Sequence, residues 1–212
     1  IGSKRRRLGL LKEKELTGRG VHYCVTCDGP VFKDKIVAMV GGGDSSVKGV
    51  NFLGEYARKI YFIVRGKEIV AEPVNLRQMK LLGDKMEVLY ETEVRELVGD
   101  KRLEKIILSG ARELVLDGMF VEIGYDPDQT FIQQLGLQTD EGGYAKVDNM
   151  MATSMPGVFG AGDSTNHFGR FKQDITAAAL GAVAATSAYE YNKTYGSRTR
   201  FTSQTLPRET SE

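Results

Sequence analysis

The sequence predicts an α/β chain built on a βαβ unit, and three observations predict it. Residues 35–40 (K-I-V-A-M-V) are a short apolar run that stops abruptly at Gly41-Gly42-Gly43. Residues 44–56 carry apolar positions at Val47, Val50, Phe52, Leu53 and Tyr56, which reads as a helix. Residues 59–64 (K-I-Y-F-I-V) form the next apolar run. Strand, glycine turn, helix and strand within about 30 residues is the expected length of a βαβ unit.

The elements around this unit follow in order. Residues 72–82 read as a helix and 86–90 as a short strand. Segments 92–98, 103–108 and 113–116 are separated by Gly99-Asp100 and Ser109-Gly110, which predicts a three-stranded meander. Residues 118–123 read as a buried strand ended by Gly124. A short strand is expected at 144–147, and a turn, strand and second glycine turn over 153–163. A helix rich in small residues is expected over 174–191, followed by a loose polar tail.

Composition excludes several classes. The chain has 212 residues and a net charge of +1, from 29 basic and 28 acidic side chains. No overall field draws in nucleic acid or an anionic membrane. The Lys4-Arg5-Arg6-Arg7 cluster is read as a solvated approach segment. The longest uncharged apolar run, 175–189, is shorter than the ~20 residues a spanning helix needs. No signal peptide is expected, because the basic start has no apolar run behind it. The 25 glycines exceed the usual share of about 7% and ask for tight turns and close backbone approaches.

Three groups of residues carry chemistry. Gly41-Gly42-Gly43-Asp44-Ser45-Ser46 follows a strand and opens a helix, where free N–H groups and the helix dipole favour a pyrophosphate. Gly41 permits the tight turn, Gly43 the phosphate's approach, and Ser46 takes a place where a small residue suffices; the alternative is an ordinary strand-to-helix turn. After the second strand, Arg65 and Lys67 precede Glu68, which favours a ribose 2′-phosphate over a free 2′-hydroxyl. Cys24 and Cys27, the two cysteines of the chain, form a C-x-x-C. Half a zinc site, a redox pair and two idle thiols are all open, and a redox pair fits better because His22 and His167 are far apart in sequence. Asp28 beside it is either a proton carrier or a turn-former before Gly29. Asp163, at the end of P-G-V-F-G-A-G-D, can accept hydrogen bonds from sugar or ribitol hydroxyls, or cap a helix.

In this order and spacing, C-V-T-C-D-G, G-G-G-D-S-S, P-G-V-F-G-A-G-D and K-Q-D-I-T-A-A resemble the low-molecular-weight thioredoxin reductases, over about residues 1–192. The resemblance implies a Rossmann-like NAD(P)H-binding domain with a central parallel sheet and the meander, and part of a second, FAD-binding Rossmann-like domain. It implies boundaries at 1–6, 7–123, 124–192 and a tail at 193–212. Cys27 would face the flavin and Cys24 attack the partner's disulfide, with Asp28 as their proton donor and acceptor. Gly41, Gly42, Gly43, Asp44, Ser45 and Ser46 would hold the NADPH pyrophosphate. Arg65 and Lys67 would meet the 2′-phosphate, and Gly124 would line the nicotinamide end. Gly162 and Asp163 would hold the ribitol and phosphate end of FAD, with Lys172, Gln173 and Asp174 by its ring. The implied activity passes electrons from NADPH through FAD to the Cys24–Cys27 disulfide, and on to thioredoxin or a glutaredoxin-like protein. A cytoplasmic homodimer is implied, with no nucleic acid or membrane partner.

The departures from the pattern matter too. The family's upstream G-x-G-x-x-G turn is not in this sequence, so 124–192 is expected to be only part of an FAD domain, and the chain alone is not expected to hold FAD firmly. The family's arginines after the second strand are reduced to Arg65, with Gly66 and Val70 in other arginine places, which leaves NADH open. Residues 168–171 are added before Lys172, and Asp174 replaces a usually small apolar residue. The alternatives are a nucleotide-binding fragment without catalysis of its own, or a related flavoprotein with another donor (ferredoxin, NADH) or acceptor (a peroxidase).

Overall fold

The structure is a computed structural model that describes residues 2–169 and 171–196. Of the segments singled out above, Arg170 and 197–212 of the tail lie outside the described residues. The chain divides into two compact units, Arg5–Tyr125 and, on either side of it in sequence, Ile1–Lys4 with Asp126–Glu212. In chain order the elements are β1 (Ser3–Arg5), α1 (Glu13–Leu16), β2 (Val21–His22), α2 (Val25–Asp28), β3 (Ile36–Val40), α3 (Asp44–Tyr56), β4 (Lys59–Ile63) and α4 (Pro73–Lys80). They continue with β5 (Met86–Leu89), β6 (Val94–Val98), β7 (Lys105–Leu108), β8 (Glu113–Val115), β9 (Gly118–Val121), β10 (Tyr125–Pro127), α5 (Gln129–Gln134) and α6 (Asp174–Tyr195).

In the Arg5–Tyr125 unit, five strands form a sheet in the order β2-β9-β3-β4-β5, with every pairing parallel. Strands buried on both faces need apolar residues at every position, and β3 reads I-V-A-M-V. Successive side chains go to opposite faces. Val37 and Met39 of β3, Ile60 and Phe62 of β4 and Phe120 of β9 pack with Val47, Val50 and Leu53 of α3. Ala38 and Val40 of β3, with Met119 and Val121 of β9, pack with Leu97, Ile106 and Leu114 of the meander. The meander is antiparallel in the order β6-β7-β8, with a register shift between Val94 and Glu96. β1 and β10 pair as a two-stranded ribbon.

Two expectations are corrected in the second unit. The strand expected at 144–147 is only a pair of isolated bridges, from Ala145 to Thr139 and to Thr165. The strand expected within 153–163 is one bridge, Ala152 to Phe159. In both places turns compete for the backbone: the Asp140 carboxylate takes the N–H groups of Gly142 and Tyr144, and the Asp148 carboxylate those of Met150 and Ala152. The last helix runs beyond the expected end, to Tyr195.

Candidate active site

The dithiol stands just past an edge strand. Val21 and His22 pair with Met119 and Phe120 of β9, which delivers Tyr23 and Cys24 from a fixed ladder. Cys24 and Cys27 are joined in a disulfide across the single turn α2. The Cys24 Sγ accepts the Cys27 N–H at 3.3 Å. Asp28 follows directly, and its Oδ2 lies 2.8 Å from His22 Nδ1. An ionised carboxylate can only accept, so Nδ1 carries the proton. The His22 ring is fixed by Phe32 and Phe120, at centroid distances of 5.2 and 5.4 Å.

A buried carboxylate supports this strand from behind. Glu13 takes the N–H groups of Leu8, Gly9 and Leu10 and the Tyr23 hydroxyl at 2.6 Å. Burial, together with the Glu13 hydrogen bond and charge, pushes the Tyr23 hydroxyl up to about 12, so it stays a donor at physiological pH.

The unit also holds a cavity of about 630 Å³ at the C-terminal ends of β3, β4 and β9, where α/β sheets bind ligands. Gly41, Gly42, Gly43 and Ser45 line it, with Arg65, Glu122 and Gly124 among the other walls. The glycines differ in kind. A Cβ on Gly41 would lie 2.5 Å from the Glu122 carbonyl oxygen and 2.7 Å from Ser46 Cβ, so the turn itself needs glycine. A Cβ on Gly43 would meet nothing within 4 Å, so its backbone is open to a ligand. That open backbone at the start of α3 fits a pyrophosphate. Asp44 and Ser46 do not line the cavity. Ser46 is buried and donates to the Gly43 carbonyl at 2.6 Å. The Asp44 carboxylate pairs with Lys48 at 2.7 Å and accepts Glu72 N–H at 3.0 Å and Asn75 Nδ2 at 2.8 Å. It thereby ties the loop that carries Arg65 to α3.

The cations divide differently from the sequence expectation. Arg65 lines the cavity and makes no ion pair or hydrogen bond among the described residues. Lys67 does not line it and sits 3.9 Å from Glu91. The basic cluster is exposed, as a solvated segment should be, and it makes contacts as well. Lys4 pairs with Asp128 at 2.9 Å and Arg5 with Glu122 at 3.3 Å, while Arg6 and Arg7 line the cavity. Arg95, which sequence reasoning missed, lines it too and pairs with Glu93 at 2.6 Å. Glu122 is drawn into the wall, where burial pushes its carboxyl up and the Arg5 charge partly offsets this.

In the other unit, Gly162 and Asp163 form a 3-10 turn, and Lys172, Gln173 and Asp174 lead into α6. Lys172 Nζ donates to the Thr165 carbonyl at 2.6 Å and lies 4.6 Å from the centre of the Tyr144 ring. Burial lowers its pKa, against the charges of Asp163 and Asp140. Asp163 does not cap α6; the capping position is Gln173. None of these five lines the cavity of about 390 Å³ in this unit, which Met150, Met155, Phe159 and Tyr191 help to wall. Among the described residues no helix is long and apolar enough to cross a membrane.

A glycine-walled cleft and a C-x-x-C disulfide thus lie in one parallel-sheet unit. The family model for pyridine nucleotide-disulphide oxidoreductase matches residues 1–185, and the chain belongs to that family. A thioredoxin reductase of Streptomyces coelicolor is 38% identical over 194 residues, covering 88% of this chain and 59% of that protein. The crystal structure of Lactococcus lactis thioredoxin reductase matches with a TM-score of 0.78 at 30% identity, over 90% of this chain and 64% of that one. That of T. acidophilum thioredoxin reductase matches with a TM-score of 0.77 at 33% identity, over 90% and 63%. The chain spans about three fifths of the length of the curated relatives it matches.

Proposed function

We propose that this chain is the nucleotide-binding and dithiol-bearing part of a thioredoxin reductase-like enzyme. In this reading electrons pass from NADPH through FAD to Cys24–Cys27, and from there to thioredoxin or a glutaredoxin-like protein. The observation that carries the reading is the Cys24–Cys27 disulfide in the same unit as the glycine-walled cleft. NADPH and FAD, when bound, supply the electron pair that a disulfide accepts.

The chain's own residues do the rest. Backbone N–H groups at Gly43 and Ser45 hold the pyrophosphate, and Arg65 meets the 2′-phosphate. In the reduced form the Cys24 thiolate attacks one sulfur of the partner's disulfide, and the other sulfur leaves as a thiolate. The Cys27 thiolate then attacks Cys24 Sγ, which re-forms the Cys24–Cys27 disulfide and releases the partner's second thiolate. The partner gains two electrons and two protons; Asp28 passes protons between the dithiol and water.

The test needs no flavin. The chain is reduced chemically, freed of reductant and mixed with oxidised thioredoxin. The expected result is one equivalent of disulfide transferred, none in Cys24→Ser, and a trapped mixed disulfide in Cys27→Ser. Trapping through Cys27 instead of Cys24 would reverse the assignment. No transfer by the unmodified chain would overturn the acceptor. An anaerobic visible spectrum with FAD offered, then NADPH, separately tests the flavin.

A further inference from the structure

We propose that His22 is a positioning residue for the dithiol's proton carrier: it anchors one oxygen of Asp28 and leaves the other to exchange protons with Cys24–Cys27. The inference rests on the proposed role of Asp28, but not on the identity of the protein that receives the electrons.

The geometry is specific. His22 is held in the β2–β9 ladder opposite Phe120, and its side chain is only 12% exposed. Phe32 meets the ring edge-on and Phe120 lies against it at a 32° tilt. Phe32 and Phe120 also touch each other, at 5.3 Å between centroids, so the walls around the ring are themselves fixed. Neither wall offers a charge. Among the described residues, Asp28 is the one charged group within ion-pair distance of the ring, at 2.8 Å. Asp28 is 41% exposed, and it is the residue after Cys27. Its Oδ2 is committed to His22, while its Oδ1 makes no hydrogen bond among the described residues. One oxygen is therefore anchored and the other is left for proton traffic.

The chemistry follows from which oxygen is held. Against an ionised carboxylate Nδ1 is the donor of the 2.8 Å bond, so Oδ2 is fixed and Oδ1 is left to exchange protons. Reduction of the disulfide by an electron pair leaves two thiolate sulfurs that take up two protons from Asp28 and water. A held carboxylate with a fixed donor behind it presents its free oxygen in one orientation for that transfer.

The experiment uses the full chain, reduced, without added cofactor. Alkylation of the dithiol by iodoacetamide is followed against pH for the parent, His22→Phe and His22→Asn. Phe keeps an aromatic ring between Phe32 and Phe120, and Asn keeps an N–H donor near the Nδ1 position. The profile of His22→Phe is expected to shift from the parent's, and that of His22→Asn to lie nearer to it. Transfer to dithionitrobenzoate, a small disulfide that needs no docking surface, is expected to slow about tenfold in His22→Phe, the loss of a hydrogen bond to a charged group. It is expected to recover to within about threefold of the parent in His22→Asn. In an Asp28→Asn background, His22→Phe is expected to add no further loss, because the two act as one unit. An unchanged alkylation profile in His22→Phe, or full additivity with Asp28→Asn, would overturn the inference. If thioredoxin is not reduced while these shifts appear, the acceptor assignment fails and the role of His22 stands.

Discussion

Replacing Asp44 separates a charge from a hydrogen-bond acceptor beside the glycine-walled cleft. The carboxylate is held down from an ordinary 3.8 to about 2, first by the Lys48 ion pair, then by the Glu72 N–H, with Asn75 also contributing. At about 1.4 kcal/mol per pKa unit this difference corresponds to about 2 kcal/mol. The side chain is 32% exposed, so solvent screening reduces the contribution to roughly 1 kcal/mol. The sign is that of a depressed acid: the stabilisation is fully present above 3.8 and is lost as pH falls through about 2. Asp44→Asn, which keeps an acceptor oxygen, is expected to cost roughly 1 kcal/mol at neutral pH. Asp44→Ala removes the acceptor as well and is expected to cost about 1 kcal/mol more. The loss is local, because Val70 N–H also bonds the Gly42 carbonyl at 2.9 Å and the same loop carries Arg65 to the cavity wall. The assay is urea unfolding from neutral pH down past 3.8, with amide exchange read at Val70 and Glu72. The gap between parent and Asp44→Asn should close as the acid is titrated, and exchange at both amides should quicken in Asp44→Ala. A gap independent of pH, or unchanged exchange at Glu72, would refute the electrostatic account.

Three further outcomes are expected. Gly41→Ala should destabilise the chain by about 1–3 kcal/mol, since its Cβ would meet the Glu122 backbone; Gly43→Ala should leave the melt nearly unchanged and weaken NADPH binding in calorimetry. Arg65→Ala should weaken NADPH by about tenfold and NADH little, measured by titration of each nucleotide; equal losses would remove Arg65 from the 2′-phosphate. Glu122 is a raised acid, so the folded state holds its proton more tightly and loses stability as pH rises from 4.5 through the folded value. The melting temperature of Glu122→Gln should therefore gain on the parent across that window, and a constant difference would argue against it.

The βαβ core was legible because sterics and burial write it twice. The run I-V-A-M-V signals a strand covered on both faces, and the apolar spacing from Val47 to Tyr56 signals the helix that covers one of them. Helix α3 has the bounds its pattern predicts, and the meander strands follow their Gly-Asp and Ser-Gly breaks. Short elements were not legible. α1 and α2 are single turns set by tertiary partners, the first by the buried Glu13, and β1 and β10 are three residues each with no period to read. The cleft was half legible. Its glycines announce themselves, but Arg95 and Glu122 reach it only through the meander and the far end of β9. His22 illustrates the limit most plainly. As a lone histidine six residues from Asp28 it suggests only a distant metal ligand, and its contact with Asp28 emerges only in the folded chain.

The join at Arg6 and Gly124 has a topological consequence. The Arg6 N–H bonds the Gly124 carbonyl at 2.9 Å, so the two ends of the Arg5–Tyr125 unit meet one residue in from its limits. A segment whose ends already touch loses little chain entropy by being fastened there rather than left open. Such a segment can be cut out, closed into a ring or reopened elsewhere while its sheet order stays the same. The 121 residues from Arg5 to Tyr125 thus behave as a cassette, with its two cores enclosed and its ends at one place.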